Sequence, residues 1–377
     1  MSTIHVVLTG GGSGGHIYPL LAVAEDIQKW AADSSRDCTI TYMGPVDSYT
    51  GLFTERGIAV QSIVSGKLRR YFSFENFLDA PKFFIGFFEA VFKLYFCMPD
   101  VVFSKGGTGA FPVVLAARFY RIPVAIHESD AKPGLTNLVS SHFAQKIFVS
   151  FPSAAEYFDP RKTEVTGTPV RRELLENRTT KDVARETLGF ASSAPLIFIY
   201  GGSQGSTRIN NYILENLPEL IEETQILHQT GTANFPEVEK LSQVALLGAS
   251  FKNRYQAVPY LTDNLRTAFD AADLVVMRAG SATLFEVAAF GKPAIIIPLS
   301  DSANDHQKAN AYVFVRSGAA IVIEELNLLP GIFTSEVKKI LSDTALQEKM
   351  GAAVKQFFVP DAADKIGEGI LKLAIRE

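Results

Sequence analysis

The chain contains 377 residues, of which 47% are hydrophobic and 20% are charged, and its formal net charge at pH 7 is -4. This composition excludes a disordered chain, and the small negative charge gives no reason to expect a nucleic-acid partner. A chain of this length is too long for one ordinary hydrophobic core, so two domains are expected. The N-terminal sequence has no basic segment followed by an apolar core, which argues against a signal peptide and favours a cytoplasmic protein.

The first half of the chain alternates strand-like and helix-like segments. The run IHVVLTG (4–10) is rich in β-branched residues and predicts a strand. A helix with Pro19 in its first turn is predicted after the glycine-rich loop that follows. Further strands are predicted within 38–44, 100–107, 123–129 and 146–151. Such alternation is typical of a parallel sheet with helices on both faces.

The same pattern restarts near residue 195, where strand, glycine loop and helix follow one another again. The sequence therefore predicts an α/β protein with two doubly wound, Rossmann-like parallel-sheet domains. The predicted boundaries are an N-terminal domain at 1–165, a polar linker region at 166–194, a C-terminal domain at 195–355 and a C-terminal helix at 356–377. The amphipathic sequence of this last helix is compatible with packing back on the N-terminal domain.

Three glycine loops share one chemistry: residues 10–15, 105–110 and 201–206 each follow a predicted strand. Backbone N–H groups at such a turn point toward a ligand, and a following helix dipole favours negative charge. A ligand with phosphate or sugar groups is therefore expected. The first loop also fits G-x-G-x-x-G, but a dinucleotide oxidoreductase needs an acid at the end of the second strand, and Asp47 comes late for that role.

Polar residues at strand ends add candidates for catalysis and sugar binding. His16 leaves the first loop and can accept a proton near neutral pH, whereas His127 is equally compatible with packing at a strand end. Small residues precede Glu286 as they would at a helix start near a phosphate. The chain contains no D-x-D sequence and no metal-ligand spacing, so we expect no metal cofactor, with helix dipoles neutralising a diphosphate leaving group instead.

Together these stretches resemble glycosyltransferase family 28, the family of the bacterial enzymes that make lipid II from lipid I. The resemblance rests on LTGGGSGGHIYPLLAVAEDI, DVVFSKGGTGAFPVVLAA, PVAIHESDAKPGLTN, TGTPVR, YGGSQGSTRIN, RAGSATLFEVAAFGKPAIIIPL and DHQKANA, in this order from residue 4 to about residue 320. It implies the GT-B fold, with two facing domains and an interdomain cleft. It also implies inverting transfer of N-acetylglucosamine from UDP-GlcNAc to the C4 hydroxyl of the N-acetylmuramoyl unit of lipid I. Another UDP-sugar lipid glycosyltransferase, or a UDP-GlcNAc 2-epimerase, is the alternative.

The resemblance also implies roles for individual residues. His16 matches the proposed base, and Asp130 is the second candidate because HESD stands here where some relatives have HEQN. Tyr260 and Leu261 would lie beside uracil, Glu286 would hold the ribose, and His306 and Gln307 would contact the N-acetylglucosamine. The remaining predicted donor-binding residues are Ser13, Gly14, Gly15, Arg171, Ser203, Gln204 and Thr283, and the predicted acceptor-binding residues are Gly107, Thr108 and Asn137.

The segment 67–96 contains eleven aromatic residues with basic residues among them. This composition suits a face that rests on an anionic bilayer, with basic residues at the headgroups and rings in the interface. A helix buried in the first domain would explain some of the same rings. Because the implied acceptor is lipid-borne, we expect a peripheral protein at the cytoplasmic face of the cell membrane.

Overall fold

The computed structural model describes residues 3–45, 49–65, 74–202, 204–300, 302 and 305–375. Ser203, Asp47 and the first part of the aromatic segment, residues 67–73, lie outside these ranges. Contacts divide the chain into two units, Met1–Arg171 with Val359–Glu377, and Arg172–Phe358. Each unit is built on its own sheet.

The first unit has a seven-stranded parallel sheet in the order β3-β2-β1-β4-β5-β6-β7. Its strands are β1 (Ile4–Thr9), β2 (Cys38–Gly44), β3 (Ala59–Ser62), β4 (Val101–Ser104), β5 (Val124–Glu128), β6 (Lys146–Val149) and β7 (Thr163–Val165). Its helices in this part of the chain are α1 (Gly14–Asp33), α2 (Thr50–Thr54), α3 (Phe74–Cys97), α4 (Phe111–Phe119), α5 (Leu135–Ser140) and α6 (Pro152–Ala155).

The second unit has a six-stranded sheet in the order β10-β9-β8-β11-β12-β13, and its strands also pair in parallel. The strands are β8 (Leu196–Tyr200), β9 (Gln225–Gln229), β10 (Tyr255–Val258), β11 (Leu274–Met277), β12 (Ala294–Ile296) and β13 (Ala320–Val322). The helices are α7 (Arg172–Leu175), α8 (Lys181–Leu188), α9 (Thr207–Glu223), α10 (Phe235–Ala245), α11 (Leu265–Ala271), α12 (Ser281–Phe290), α13 (His306–Arg316), α14 (Pro330–Ser342) and α15 (Thr344–Lys355). The helices α7 and α8 thus lie within the predicted linker region.

The last helix, α16 (Ala362–Ile375), packs in the first unit. Its buried residues Ile366, Ile370 and Leu371 join the core cluster formed by β1, β4 and α1. Gly369 lets the helix approach this core, because an added Cβ would lie 2.6 Å from Cζ of Phe148. The chain therefore leaves the first unit at Arg171 and returns to it at Val359.

The fold class is confirmed as two Rossmann-like parallel sheets. Both sheets reverse their strand order next to their first strand, between β1 and β4 and between β8 and β11. In open parallel sheets, ligands bind beyond the carboxyl ends of the strands at this switch point. One local prediction is wrong: α1 begins at Gly14, so Pro19 lies inside the helix rather than in its first turn.

Candidate active site

Two glycine loops lie against each other at the switch point of the first unit. Loop 10–13 follows β1 and loop 105–110 follows β4, and these strands are neighbours. A Cβ added at Gly107 would lie 2.9 Å from Cα of Gly11, and Gly107 has a φ of +84°. Only glycine fits at such a position without strain. The predicted acceptor residue Thr108 lies half-buried in the second of these loops.

The imidazole of His16 lies on both loops. Its Nδ1 is hydrogen-bonded to the hydroxyl of Ser13 at 2.8 Å. A Cβ added at Gly107 would lie 3.3 Å from His16 Nε2, and one added at Gly11 would lie 3.2 Å from Nδ1. The ring is therefore held by Ser13 and by bare backbone. For Nε2 to accept a proton, Nδ1 must carry the hydrogen and donate it to Ser13 Oγ.

Predicted donor residues Gly14 and Gly15 form the first positions of α1, at its positive end. Tyr18, one turn further, has the guanidinium carbon of Arg171 over its ring at 4.0 Å from the centroid. Arg171 is buried and is the last residue of the first segment of the first unit, before the chain enters the second unit. A cation–π contact thus holds this predicted donor residue near α1.

Glu128, which the sequence analysis did not assign to the site, organises the loop after β5. Its Oε1 accepts the N–H of Asp130 at 2.9 Å, and its Oε2 accepts the N–H of Gly134 and the Asn137 amide, both at 3.0 Å. Burial, followed by the charge of Asp130, raises the pKa of this carboxyl to about 6. In the sequence, the indication of this role was an acid at the end of a mainly apolar strand. A carboxyl group there needs hydrogen-bond partners once it is buried.

This network fixes the backbone of Asp130, the second candidate base. Asn137, a predicted acceptor residue, is buried and donates its amide to the carbonyl of His127 and to Glu128. His127 is fully buried, with Nε2 hydrogen-bonded to Gly167 O and Ser150 Oγ. Burial holds the pKa of His127 well below its usual value. The side chains of His127 and Asn137 therefore hold the segments around the end of β5 together.

Lys105 is an unexpected cation beneath the two loops of the first unit. The side chain is 2% exposed, and within the described part of the chain its Nζ has no hydrogen-bond partner. Burial lowers the pKa of this amine to about 8, against the opposing charges of Glu128 and Asp130. The sequence showed a lysine beside glycines but gave no sign that it would be buried.

In the second unit, a glycine loop again joins the first strand to a helix. Gly202 and Gly205, both with positive φ, lie between β8 and α9, and the exposed residue Gln204 lies between them. Ser206 caps α9, its hydroxyl accepting the N–H of Ile209 at 3.3 Å. The loop thus directs a helix N-terminus to the switch point, where an anion is stabilised.

Arg278, at the end of β11, ties three loops of this edge together. Its Nη2 donates to Ser206 Oγ at 2.7 Å and pairs with the Glu325 carboxylate, and its Nη1 donates to Ile297 O at 3.0 Å. Glu325 also accepts the N–H of Ser300 at 3.1 Å. Bonds to Ser300 and Arg278 lower the pKa of Glu325 against the opposing effect of burial. This network braces the start of α9.

The predicted ribose and phosphate residues lie on α12, which follows β11. Glu286 is 5% exposed and accepts a hydrogen bond from the hydroxyl of Tyr200 at 2.9 Å. Thr283 lies half-buried in the first turn of the helix, which begins after Gly280. Glu286 is therefore oriented from the end of β8, the strand that carries the glycine loop.

The predicted sugar-binding residues begin α13. His306 is its first residue, and Oε1 of Gln307 accepts the N–H of Leu299 at 3.0 Å. Tyr260 and Leu261 follow β10, and Leu261 is buried. Among the described residues, no group of three or more His, Cys, Asp or Glu side chains is placed to hold a metal ion.

Comparisons with known proteins give matches along nearly the whole chain. The chain is 37% identical, over 364 residues, to a UDP-N-acetylglucosamine--N-acetylmuramyl-(pentapeptide) pyrophosphoryl-undecaprenol N-acetylglucosamine transferase of Clostridium kluyveri, and the match covers 96% of this chain and 97% of that protein. A protein of the same name from Treponema denticola is 35% identical, covering 92% and 89%.

Solved structures also match along nearly the whole chain. MurG of Acinetobacter baumannii superposes with a TM-score of 0.74 at 27% identity, covering 98% of this chain and 99% of that one. UDP-GlcNAc 2-epimerase of Neisseria meningitidis has a TM-score of 0.66 at 16% identity, covering 98% and 100%, and so shares the fold.

Two Rossmann-like units, each with a glycine loop at its switch point, together with these relatives define a glycosyltransferase of the GT-B fold. Residues 6–149 match the glycosyltransferase family 28 N-terminal domain, and residues 196–366 match the glycosyltransferase family 28 C-terminal domain. The chain belongs to glycosyltransferase family 28, which confirms the resemblance seen in the sequence.

Proposed function

We propose that this enzyme transfers N-acetylglucosamine from UDP-GlcNAc to the C4 hydroxyl of the N-acetylmuramoyl unit of lipid I, giving lipid II and UDP. The observation that carries the proposal is the imidazole of His16, held by Ser13 against two glycine loops of the first unit. Relatives named for this reaction match the chain over nearly its full length.

In the proposed reaction, His16 or Asp130 takes the proton of the C4 hydroxyl. The oxygen attacks the anomeric carbon of N-acetylglucosamine, whose bond to the UDP oxygen breaks, and the configuration at that carbon inverts. Negative charge then collects on the departing diphosphate. The N-termini of α9 and α12, with Ser203, Gln204 and Thr283, favour this charge.

The other donor residues are assigned by position. Tyr260 and Leu261 lie beside the uracil. Glu286 accepts hydrogen bonds from the ribose hydroxyls, and His306 and Gln307 contact the N-acetylglucosamine. Ser13, Gly14, Gly15 and Arg171, all in the first unit, are the remaining proposed donor-binding residues. Gly107, Thr108 and Asn137 remain the proposed acceptor-binding residues.

We further propose that the enzyme is peripheral to the cytoplasmic face of the cell membrane and contacts it through α3. Among the side chains described for this helix, six large apolar ones are more than half exposed: Phe84, Ile85, Phe88, Phe92, Tyr95 and Phe96. This outer face of α3 supports an interfacial contact, as its rings suit the headgroup boundary. No helix in the described ranges is long and apolar enough to cross a bilayer.

The test is UDP release from UDP-GlcNAc with and without a soluble lipid I analogue, in buffer containing EDTA because no metal is proposed. We expect release only with the analogue, together with the disaccharide product. His16→Ala should lower kcat by roughly 10²–10⁴-fold and leave the affinity for UDP nearly unchanged.

Three outcomes would contradict this scheme. Formation of UDP-N-acetylmannosamine without acceptor would indicate an epimerase. Activity that needs added divalent metal would overturn the metal-free chemistry. An equal loss of kcat and of UDP affinity in His16→Ala would make His16 a binding residue and leave Asp130 as the base.

A further inference from the structure

Gln229 is the last residue of β9 and its side chain is fully buried. Both the nitrogen and the oxygen of its side-chain amide form hydrogen bonds. Nε2 donates to the carbonyl of Gly202 at 2.9 Å, and Oε1 accepts the N–H of Leu261 at 3.0 Å. One side chain thus joins two loops that lie on opposite sides of its own strand.

The two loops belong to the neighbouring strands. Gly202 lies in the glycine loop after β8, and Leu261 lies three residues beyond the end of β10. At the end of β10, the N–H of Thr230 donates to Val258 O at 3.0 Å, which ties the backbone just before the second loop to β9. Gln229 extends that connection to Leu261, whose N–H would otherwise be buried without this partner.

We propose that Gln229 is a positioning residue for the donor nucleotide: its amide fixes the spacing between the glycine loop that takes the diphosphate and the segment Tyr260–Leu261 that takes the base. This inference rests on the proposed function, because it uses the UDP site assigned there. Gln229 itself acts through the two backbone segments and needs no contact with the nucleotide.

The proposal has a consequence that a general structural role lacks. A ligand that occupies both subsites benefits from their fixed spacing, because binding at one subsite presents the ligand to the other at high effective concentration. A ligand that fills one subsite gains nothing from the spacing. Loss of the Gln229 amide should therefore weaken UDP binding much more than the binding of uridine or of inorganic pyrophosphate.

The experiment measures the affinity of the full chain for UDP, uridine and pyrophosphate, in wild type and in Gln229→Leu. We expect the affinity for UDP to fall by about tenfold or more, and those for uridine and pyrophosphate by about threefold or less. The KM for UDP-GlcNAc should rise with little change in kcat. Gln229→Asn, whose amide is one methylene too short to reach both loops, is measured alongside in case the leucine variant does not fold.

The same strand offers a matched control. Gln225, the first residue of β9, is also buried, and its amide also bonds only to backbone: Oε1 accepts the N–H of Ala191 at 2.8 Å, and Nε2 donates to Ala191 O and Ala194 O. It lies at the amino end of the strand, away from the loops. Gln225→Leu should lower stability as Gln229→Leu does, while its affinity for UDP stays that of wild type.

The outcomes separate the two proposals. A wild-type chain that does not bind UDP would overturn the proposed function itself. If wild type binds UDP but the Gln229 variants lose no affinity, or lose it equally for all three ligands, the positioning role is wrong. The same conclusion follows if Gln225→Leu weakens UDP binding as much as Gln229→Leu.

Discussion

Two buried lysines have similarly lowered pKa values but differ in whether their ammonium groups are hydrogen-bonded. Lys105 and Lys292 each have a pKa lowered to about 8, mainly by burial. Nζ of Lys292 donates to the carbonyls of Asp270 and Ala272 at 3.1 and 2.7 Å. In the described ranges, Nζ of Lys105 has no such acceptor. Replacing either lysine removes a buried charge, but replacing Lys292 also removes two hydrogen bonds to backbone carbonyls.

We expect Lys105→Met to raise the free energy of unfolding at pH 7 by roughly 1–3 kcal/mol, because the variant no longer buries an amine whose pKa is lowered by burial. This gain in the free energy of unfolding should be largest below pH 8. Between pH 8 and pH 10.5 the folded wild type loses its proton before the unfolded chain does, so wild type becomes more stable and the difference shrinks. Urea unfolding of wild type and Lys105→Met between pH 7 and pH 10.5 measures this difference in stability.

Lys292→Met is the matched comparison. It removes a similar buried charge but also leaves two carbonyls without their donor, so its gain should be smaller by about 1–3 kcal/mol. A Lys105→Met variant that is less stable than wild type below pH 8 would mean that the ammonium has a partner in solution.

The residues that we propose to contact a ligand were easier to pick out from the sequence than those that would support them. His16, Thr283 and Glu286 stand beside glycine loops or helix starts, where the local pattern indicates their chemistry. Glu128 and Gln229 act through buried hydrogen bonds to distant segments, such as Gly134 or Leu261. Those partners follow from strand order, which the local sequence does not contain.

At the scale of elements, α3 explains why charged residues interrupt an aromatic segment. Glu89 accepts the N–H of Val64 at 2.9 Å, and Lys93 donates to the carbonyl of Ser62. With the buried residues Ala90 and Leu94 they fix the inner face of the helix. Lys93 is thus hydrogen-bonded within the protein, and the exposed rings form the outer face of α3.

We expect the double variant Phe88→Ser, Phe92→Ser to bind vesicles containing phosphatidylglycerol at least about tenfold more weakly than wild type. Each ring offers apolar area to the interface, and about 1.4 kcal/mol in total corresponds to tenfold. Because both side chains are about two-thirds exposed, at 67% and 65%, the melting temperature should hardly change. Vesicle sedimentation at low salt measures the binding.

Leu247→Ser serves as the control for this test, since Leu247 is 79% exposed on the second unit. It should leave vesicle binding unchanged. Equal binding by wild type and the double variant would rule out the outer face of α3 as the membrane contact.

Most central strands were predictable, whereas three of the four edge strands were not. β1, β4, β5 and β8 are mainly apolar, as expected for strands buried on both faces. β3, β7 and β13 were missed, and all three lie at the edge of their sheet. They have only three or four residues, but so does the predicted strand β4, so their length alone does not explain why they were missed.

At the scale of the whole molecule, the first unit depends on a helix from the far end of the chain. Ile366, Ile370 and Leu371 of α16 are almost fully buried in its core. Burying three aliphatic side chains is worth roughly 5–9 kcal/mol, which is comparable to the entire stability of a typical domain. The second unit, by contrast, is one continuous segment.

We therefore expect residues 172–358, expressed alone, to unfold in one cooperative transition, whereas a chain truncated after residue 358 should keep only its second unit folded. Amide hydrogen exchange resolves the two units: β1 and β4 should lose protection in the truncated chain, while β8 and β11 keep theirs. Protection of β1 equal to that in the full chain would show that α16 is dispensable.

The return of the chain to its first unit also sets an order of events during synthesis. Everything between Arg171 and Val359 must be translated before the terminal helix becomes available. At about 5–20 residues per second this takes roughly 10–40 seconds. Throughout that interval the nascent N-terminal sheet has an uncovered apolar stripe along α1, so we expect ribosome-associated chaperones to shield it until α16 has been synthesised.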